Sequence, residues 1–166
     1  MSASSRTGIS PYAALNMPPG IRYSFAALIG LIDGMDWCII GGAATALYLD
    51  DWTDVHDIDV VLPASALVPL FDKAPIIDKS DGGTDRFRST LYAGWELPLP
   101  IDFLAGFEVN EAGDWRPVWP VTRRAIAMLG GMAYLPDLAE HIFITRQLGR
   151  PRDLARIARL HAAGIV

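Results

Sequence analysis

Three aspartates interrupt apolar segments of the chain at positions where carboxylates could do chemistry. Asp57 and Asp59 lie in the triplet DID, directly before the apolar run VVLP, and Asp102 lies within LPLPIDFLAGF. Residues two apart on a β-strand project from one face, so the first two carboxylates are expected side by side, with Ile58 turned into the core. Such a pair repels itself, and a divalent cation would relieve the repulsion. For DID alone, a polar strand edge is the alternative interpretation.

Asp102 favours a metal site over that alternative. Burying an unpaired charge in an apolar strand costs several kcal/mol, so this carboxylate needs a partner. A metal ion shared with Asp57 and Asp59 would be the most economical one. Three carboxylates around two metal ions would align a nucleoside triphosphate (NTP) and activate an attacking hydroxyl, so we expect these residues to be catalytic and metal-binding.

Two adjacent glycines form a candidate anion site. Gly41 and Gly42 follow the apolar segment WCII and precede a helical pattern. At a strand-to-helix turn the first backbone N–H groups of the helix are unpaired, and glycine lets a phosphate approach them. The pattern is neither GxGxxG nor GxxxxGK[ST], and a tight turn without a ligand is the alternative.

Positive charge is concentrated near the C-terminus. The formal net charge of −5 argues against sequence-independent nucleic-acid binding by the whole surface. The arginines of the last part of the chain are Arg146, Arg150, Arg152, Arg156 and Arg159. Because the planar guanidinium suits phosphate, this cluster is a candidate phosphate contact, with a solvated helix face as the alternative.

The elements that must position these residues follow from hydrophobic periodicity. We predict a helix over residues 21–34, a strand at MDWCII, a helix at GGAATALYLDD and a strand at DIDVVLP. Then come a helix at ASALVPLFDK, a short strand at APIID, and a hairpin of DRFRSTLYAGW and ELPLPIDFLAGFEV that is interrupted at AGWE. Helical patterns at VTRRAIAMLG, PDLAEHIFITRQLG and RPRDLARIARLHAAG end the chain. This order predicts an α/β or α+β fold with a mixed sheet flanked by helices and a helical C-terminus.

Length and composition predict one globular domain. The 166 residues are 51% hydrophobic, too many for a disordered chain, and no apolar run is long enough to span a membrane. We expect residues 1–20 to be a flexible leader and residues 21–166 the domain. The single cysteine, Cys38, excludes an internal disulfide framework and is expected to be a buried, inert thiol, which fits a cytoplasmic location.

The glycine pair, the helix after it, the DID strand and the later strand with one Asp together resemble the nucleotidyltransferase superfamily that shares the DNA polymerase beta palm-like fold. The matching stretches are residues 39–62 and 101–104. They are similar to small bacterial nucleotidyltransferases, including abortive-infection and other toxin–antitoxin toxins. Those proteins carry GGxAL and T-x-[ST]-x-D-h-D, which GGAATALYL and TDVHDID approach, and the tail GRPRDLARIARL resembles their GRPKDLADIxxL ending.

The resemblance implies a Mg²⁺-dependent transfer of a nucleoside monophosphate from an NTP, such as ATP, to a hydroxyl. The acceptor would be an RNA such as tRNA, a protein or a small molecule, and an antitoxin would be a partner. Carried over by position, Gly41 and Gly42 would hold the triphosphate, helped by Arg150 and Arg152. Asp57 and Asp59 would bind two Mg²⁺ ions. Asp102 would complete the metal site and help deprotonate the acceptor.

Departures from the family pattern concern the nucleotide more than the metal. Ala43 and Ala44 replace a small polar residue, Thr145 stands where a lysine is frequent, and Arg156 replaces the second acid of KDLAD. Arg152, Arg156 and Arg159 are nevertheless expected to form a basic stripe on one helical face.

The alternative function is a catalytically silent nucleotidyltransferase fold that acts as a binding module in a protein complex. Phosphatase and hydrolase patterns fit less well. The polar DWTDVH before Asp57 is unlike the buried strand that precedes a dehalogenase-type nucleophile, His56 lacks the other ligands of an HD-type metal site, and no GxSxG motif is present.

Overall fold

The computed structural model describes Ile9 and residues 13–166. Its helices are α1 (Ala13–Asn16), α2 (Pro19–Ile32), α3 (Gly41–Leu49), α4 (Ala64–Leu67), α5 (Leu138–Leu148) and α6 (Pro151–Ala162), with a 3₁₀ helix at Val68–Asp72. Its strands are β1 (Cys38–Ile40), β2 (Ile58–Leu62), β3 (Ile77–Asp78), β4 (Phe87–Arg88), β5 (Leu91–Trp95), β6 (Ile101–Ala105), β7 (Glu108–Glu111), β8 (Asp114–Pro117), β9 (Arg124–Met128) and β10 (Gly131–Leu135).

A mixed five-stranded sheet organises the fold. Its strand order is β1-β2-β6-β5-β3, in which β2 and β6 are parallel and the other neighbours are antiparallel. Residues alternate between its two faces. Ile58, Val60 and Phe103 point into the main core together with residues of α2 and α3, whereas Asp59 and Asp102 project from the opposite face.

A second, smaller layer covers part of that opposite face. The strands β4, β7 and β8 form a three-stranded antiparallel sheet. Together with α5, this sheet supplies a satellite core around Cys38, Ile40, Phe107 and Leu148. The carboxylate-bearing face of the main sheet is therefore partly enclosed and partly open.

Most predicted elements are confirmed, as is the mixed sheet with its helical C-terminus. Cys38 is buried, and desolvation raises its thiol pKa to about 12, as expected for an inert thiol. In the part of the chain that the structure describes, no helix has the length and apolar character needed to cross a bilayer.

Two element predictions are wrong. VTRRAIAMLG contains strand β9, which forms a hairpin with β10 through Leu129 and Gly130. Both loop residues have positive φ, as in a type I′ hairpin turn, and the pairing of β9 with β10 outweighs the helix-like spacing. The predicted interruption at AGWE is also misplaced, because β5 continues to Trp95 and the chain reverses in the proline-containing segment 96–100.

Much of the predicted leader, residues 1–20, lies outside the described residues. Its described end contains α1 and the start of α2, which begins at Pro19 with a proline in its first turn. Met17 is buried in the main core. The described helical structure thus includes residues that the prediction assigned to the leader.

Candidate active site

Asp59 and Asp102 are brought together by the register of two neighbouring strands. In the parallel pair β2–β6, these two residues are direct partners. Their side chains project from the face opposite the main core, because Ile58 and Ile101 on either strand are fully buried in it. The carboxylates therefore lie side by side on adjacent strands.

Asp57 completes a cluster of three carboxylates. It precedes β2 by one residue and lies two residues before Asp59, so it projects to the same side as predicted. One oxygen from each of Asp57, Asp59 and Asp102 lies within 4.8 Å of the others. Three side chains from two strands thus converge on a volume the size of a metal ion's coordination shell.

The electrostatics of the cluster are unfavourable without a cation. Burial, together with the charges of Asp57 and Asp102, raises the pKa of Asp59 to about 7, while Arg150 and Arg156 partly offset these effects. Burial likewise raises the pKa of Asp102, against the opposing charge of a nearby lysine, Lys79. Both raised pKa values mean that the charged forms of Asp59 and Asp102 are disfavoured without a positive partner, as the sequence predicts.

Lys79 supplies part of that positive charge. Its Nζ lies 3.7 Å from Asp102 Oδ1 and 3.3 Å from Glu96 Oε1. Tyr92, on β5, also lines the cavity with Asp102, and burial together with the charge of Asp102 raises the tyrosine pKa to about 12. Neither residue is predicted from the sequence, because the strand order that places β5 beside β6, with β3 beyond β5, is not visible in the spacing.

A cavity of about 250 Å³ opens in front of the carboxylates. Its walls include all three aspartates, and Arg150 and Arg152 line it as well. Five of the seven residues predicted for the site are therefore gathered around one cavity. Negative and positive groups share its walls, which suits a ligand made of a metal ion and phosphates.

Gly41 and Gly42 lie beside Asp59 rather than in the wall of this cavity. Gly41 has φ +66°, and a Cβ there would lie 2.7 Å from Asp59 Oδ2. A Cβ on Gly42 would lie 2.6 Å from Nη2 of Arg156. The glycines therefore allow a carboxylate and a guanidinium to approach the start of α3, and their binding of phosphate stays a prediction.

The start of α6 holds the arginines in place. Asp153 is fully buried, and its carboxylate accepts hydrogen bonds from Arg150 Nε at 2.7 Å and from Arg156 Nη1 at 3.0 Å. It also caps the helix by accepting from the Arg150 backbone N–H at 3.0 Å. Burial alone would raise the pKa of Asp153, but the hydrogen bonds and charge of Arg150, with Arg156, lower it.

The predicted basic stripe on α6 is wrong for Arg156. That side chain is buried between α6 and α3, while Arg152 is exposed and Arg159 pairs with Asp51 and Asp54. Thr145 is buried too, and its hydroxyl donates to the His141 carbonyl at 2.7 Å, so it faces its own helix and not the cavity.

The donor set fits a hard divalent cation. Three carboxylates that crowd together, two with raised pKa values, are the oxygen ligands that Mg²⁺ uses in proteins. The side chains that would hold the ion are those of Asp57, Asp59 and Asp102.

No protein-family model matches this chain, and no curated protein matches it. A solved structure does match. It is that of a "putative nucleotidyltransferase" from Thermotoga maritima, with a TM-score of 0.61 and 13% sequence identity, and the match covers 84% of this chain and 93% of that one. At this identity the likeness shows the fold alone, and the chain has a nucleotidyltransferase-like mixed α+β fold.

Proposed function

We propose that this protein is a metal-dependent nucleotidyltransferase, which moves a nucleoside monophosphate from an NTP to an acceptor hydroxyl. The observation that carries this proposal is the convergence of Asp57, Asp59 and Asp102 on a cavity that Arg150 and Arg152 also line. The likeness in fold to the Thermotoga maritima protein supports it.

Each group has a part in the proposed transfer. Asp57, Asp59 and Asp102 would hold Mg²⁺, two ions in the full site, which when bound neutralise charge on the phosphates. Arg150, held by Asp153, and Arg152 contact the triphosphate and the departing pyrophosphate. Asp102 accepts the proton of the acceptor hydroxyl as the new phosphate ester forms and pyrophosphate leaves.

The finer parts of the proposal rest on the sequence resemblance. They are the use of ATP among the NTPs, an RNA, protein or small-molecule acceptor, and a toxin role with an antitoxin partner. Phosphate contacts from Gly41 and Gly42 belong to the same set. The proposed cytoplasmic location rests instead on the single cysteine.

One observation favours the alternative of a catalytically silent binding module. The guanidinium of Arg156 lies against Gly42, where the resemblance places the triphosphate. In a silent module this arginine would permanently occupy the phosphate position, and the carboxylates would serve only the fold.

The experiment that separates the two is a transfer assay with each α-³²P-labelled NTP, Mg²⁺ and a cell extract that contains RNA. We expect the label to move onto RNA, protein or a small molecule with the wild type and not with Asp57→Ala/Asp59→Ala. The matched control is Asp33→Ala/Asp72→Ala, which removes the same charge from exposed positions and should transfer normally. If no label moves and Mg²⁺ with NTP leaves the thermal midpoint unchanged, the catalytic proposal fails and the binding module becomes the better one.

A further inference from the structure

Lys79 is placed to compete for the carboxylate that the proposed function assigns to a metal ion. Its backbone is fixed just after β3, where its N–H donates to the Tyr92 carbonyl at 2.8 Å. Its ammonium then reaches Asp102, whose side chain is only 19% exposed. A lysine ammonium and a divalent cation bind the same oxygen atoms, so both cannot occupy this carboxylate fully.

The main sheet contains a track for this side chain. Gly94, on β5, is the direct partner of Asp102 on β6. A Cβ at Gly94 would overlap the Cδ, Cε and Nζ atoms of Lys79. Because Gly94 has no side chain, Lys79 can lie across it and reach Asp102 on the neighbouring strand.

Glu96 binds the same ammonium as Asp102 does. Its Oε1 lies 3.3 Å from Nζ, and its side chain is 65% exposed. The flexible four-carbon stem of lysine permits a short movement from Asp102 towards Glu96 without any change in the backbone. Lys79 thus has a partner on each side, one within the cluster and one in solvent.

We propose that Lys79 is the resident counter-ion of Asp102 and that a divalent cation binds this carboxylate only as the ammonium leaves it and keeps Glu96 as its carboxylate partner. The inference rests on the proposed metal-dependent function. Lys79 acts through Asp102 and is therefore a positioning residue, which sets how much divalent cation is needed to fill the site.

The test is a calorimetric titration of the purified, nucleotide-free protein with Mn²⁺. Lys79→Gln removes the competing charge, whereas Gly94→Ala keeps the charge and blocks the track of the side chain. We expect both variants to bind Mn²⁺ about tenfold more tightly than the wild type, since each frees Asp102 from an ion pair. Glu96→Gln should bind more weakly, because Lys79 then has only Asp102. Lys73→Gln, which changes the other lysine of the chain, an exposed one, should match the wild type.

Gly94→Ala shows whether Lys79 weakens Mn²⁺ binding through its contact with Asp102 or only through its positive charge at a distance. Wild-type affinity in this variant, or in Lys79→Gln, would overturn the inference, and circular dichroism shows whether each variant is folded. Equal binding by all five proteins contradicts only the role of Lys79. Absence of Mn²⁺ binding in all five contradicts the metal-dependent function itself.

Discussion

At the scale of single residues, the position of the Asp59 side chain depends on Gly41, which lies at the turn between β1 and α3. Gly41 follows β1, which pairs with β2 so that Ile40 is the direct partner of Asp59. With φ +66°, Gly41 adopts a conformation that costs other residues roughly 1–3 kcal/mol. The missing Cβ also leaves the space that the carboxylate fills.

We therefore predict that Gly41→Ala weakens both the fold and the binding of Mn²⁺. The strained backbone and the contact at 2.7 Å with Asp59 Oδ2 should lower the free energy of unfolding by about 1–3 kcal/mol. The measurements are urea unfolding and Mn²⁺ titration. Gly30→Ala is the control, because Gly30 is exposed in α2 with no atom within 4 Å of the added Cβ, and it should be about 0.5–1 kcal/mol more stable. Unchanged metal binding in Gly41→Ala would contradict the prediction.

The residues of the cluster differ in how far the sequence could reveal them. Asp57 and Asp59 were predictable because the period of a strand puts residues two apart on one face, and Asp102 because a charge in an apolar strand demands a partner. Lys79 and Tyr92 were not, since their approach to Asp102 depends on which strands become neighbours. Local spacing carries no information about that pairing.

At the scale of elements, α6 depends on one buried carboxylate at its start. Asp153 accepts from the Arg150 backbone and from two guanidinium groups, and it neutralises Arg156 in the interface with α3. An isolated buried guanidinium would be costly, so the ion pairs and the helix cap form one unit. The same unit orients Arg150 towards the cavity.

We predict that Asp153→Asn lowers the free energy of unfolding by about 3–5 kcal/mol, because it leaves the charge of Arg156 buried without a carboxylate. The lowered pKa of Asp153 means that this stability is present at neutral pH and is lost as the pH falls through that pKa. Urea unfolding at neutral pH measures the change.

The control for this variant is Asp114→Asn, which breaks an exposed pair with Arg116 at 3.9 Å. Its effect should stay below about 1 kcal/mol, as is usual for surface ion pairs. If the two variants lose equal stability, burial of the Asp153 pairs does not control the stability of the fold.

Elements were predictable where local signals agreed with each other. For α2 and β2, the hydrophobic periodicity and the residues at the ends of the element indicate the same structure, and both predictions are confirmed. The segment of β9 has alanine and methionine, which favour helices, and only its pairing with β10 makes it a strand. Strand preference depends on neighbours more than helix preference does, so such segments are the ones that sequence reasoning assigns wrongly.

At the scale of the whole molecule, His141 and Asp59 make the stability of the fold depend on pH in opposite ways. His141 is buried with its Nε2 2.9 Å from Thr45 Oγ1, and burial, with the charge of Arg156, lowers its pKa to about 4. The folded state then binds fewer protons at His141 than the unfolded state, so stability rises with pH between about 4 and 6.5. Asp59 does the reverse, because its pKa is raised to about 7.

The contribution of Asp59 is isolated by comparing the wild type with Asp59→Asn, since His141 is common to both proteins. In metal-free buffer the two should have similar stability below pH 4, where Asp59 is protonated in both the folded and the unfolded state. As the pH rises from about 4 to 7, the unfolded state ionises Asp59 and the folded state resists, so the wild type loses stability. At pH 8 the variant should be more stable by on the order of 1–3 kcal/mol.

Mn²⁺ should reverse this order. The wild type should bind the cation through all three carboxylates at pH 8, which would stabilise its folded state, while the variant has lost one charged ligand. Near pH 5 protons compete for the carboxylates, so the added stability should shrink. Thermal midpoints of both proteins at pH 5 and pH 8, with Mn²⁺ and with a chelator, measure these differences. A variant that stays more stable than the wild type in saturating Mn²⁺ at pH 8 would show that the repulsion within the cluster is not relieved by a divalent cation.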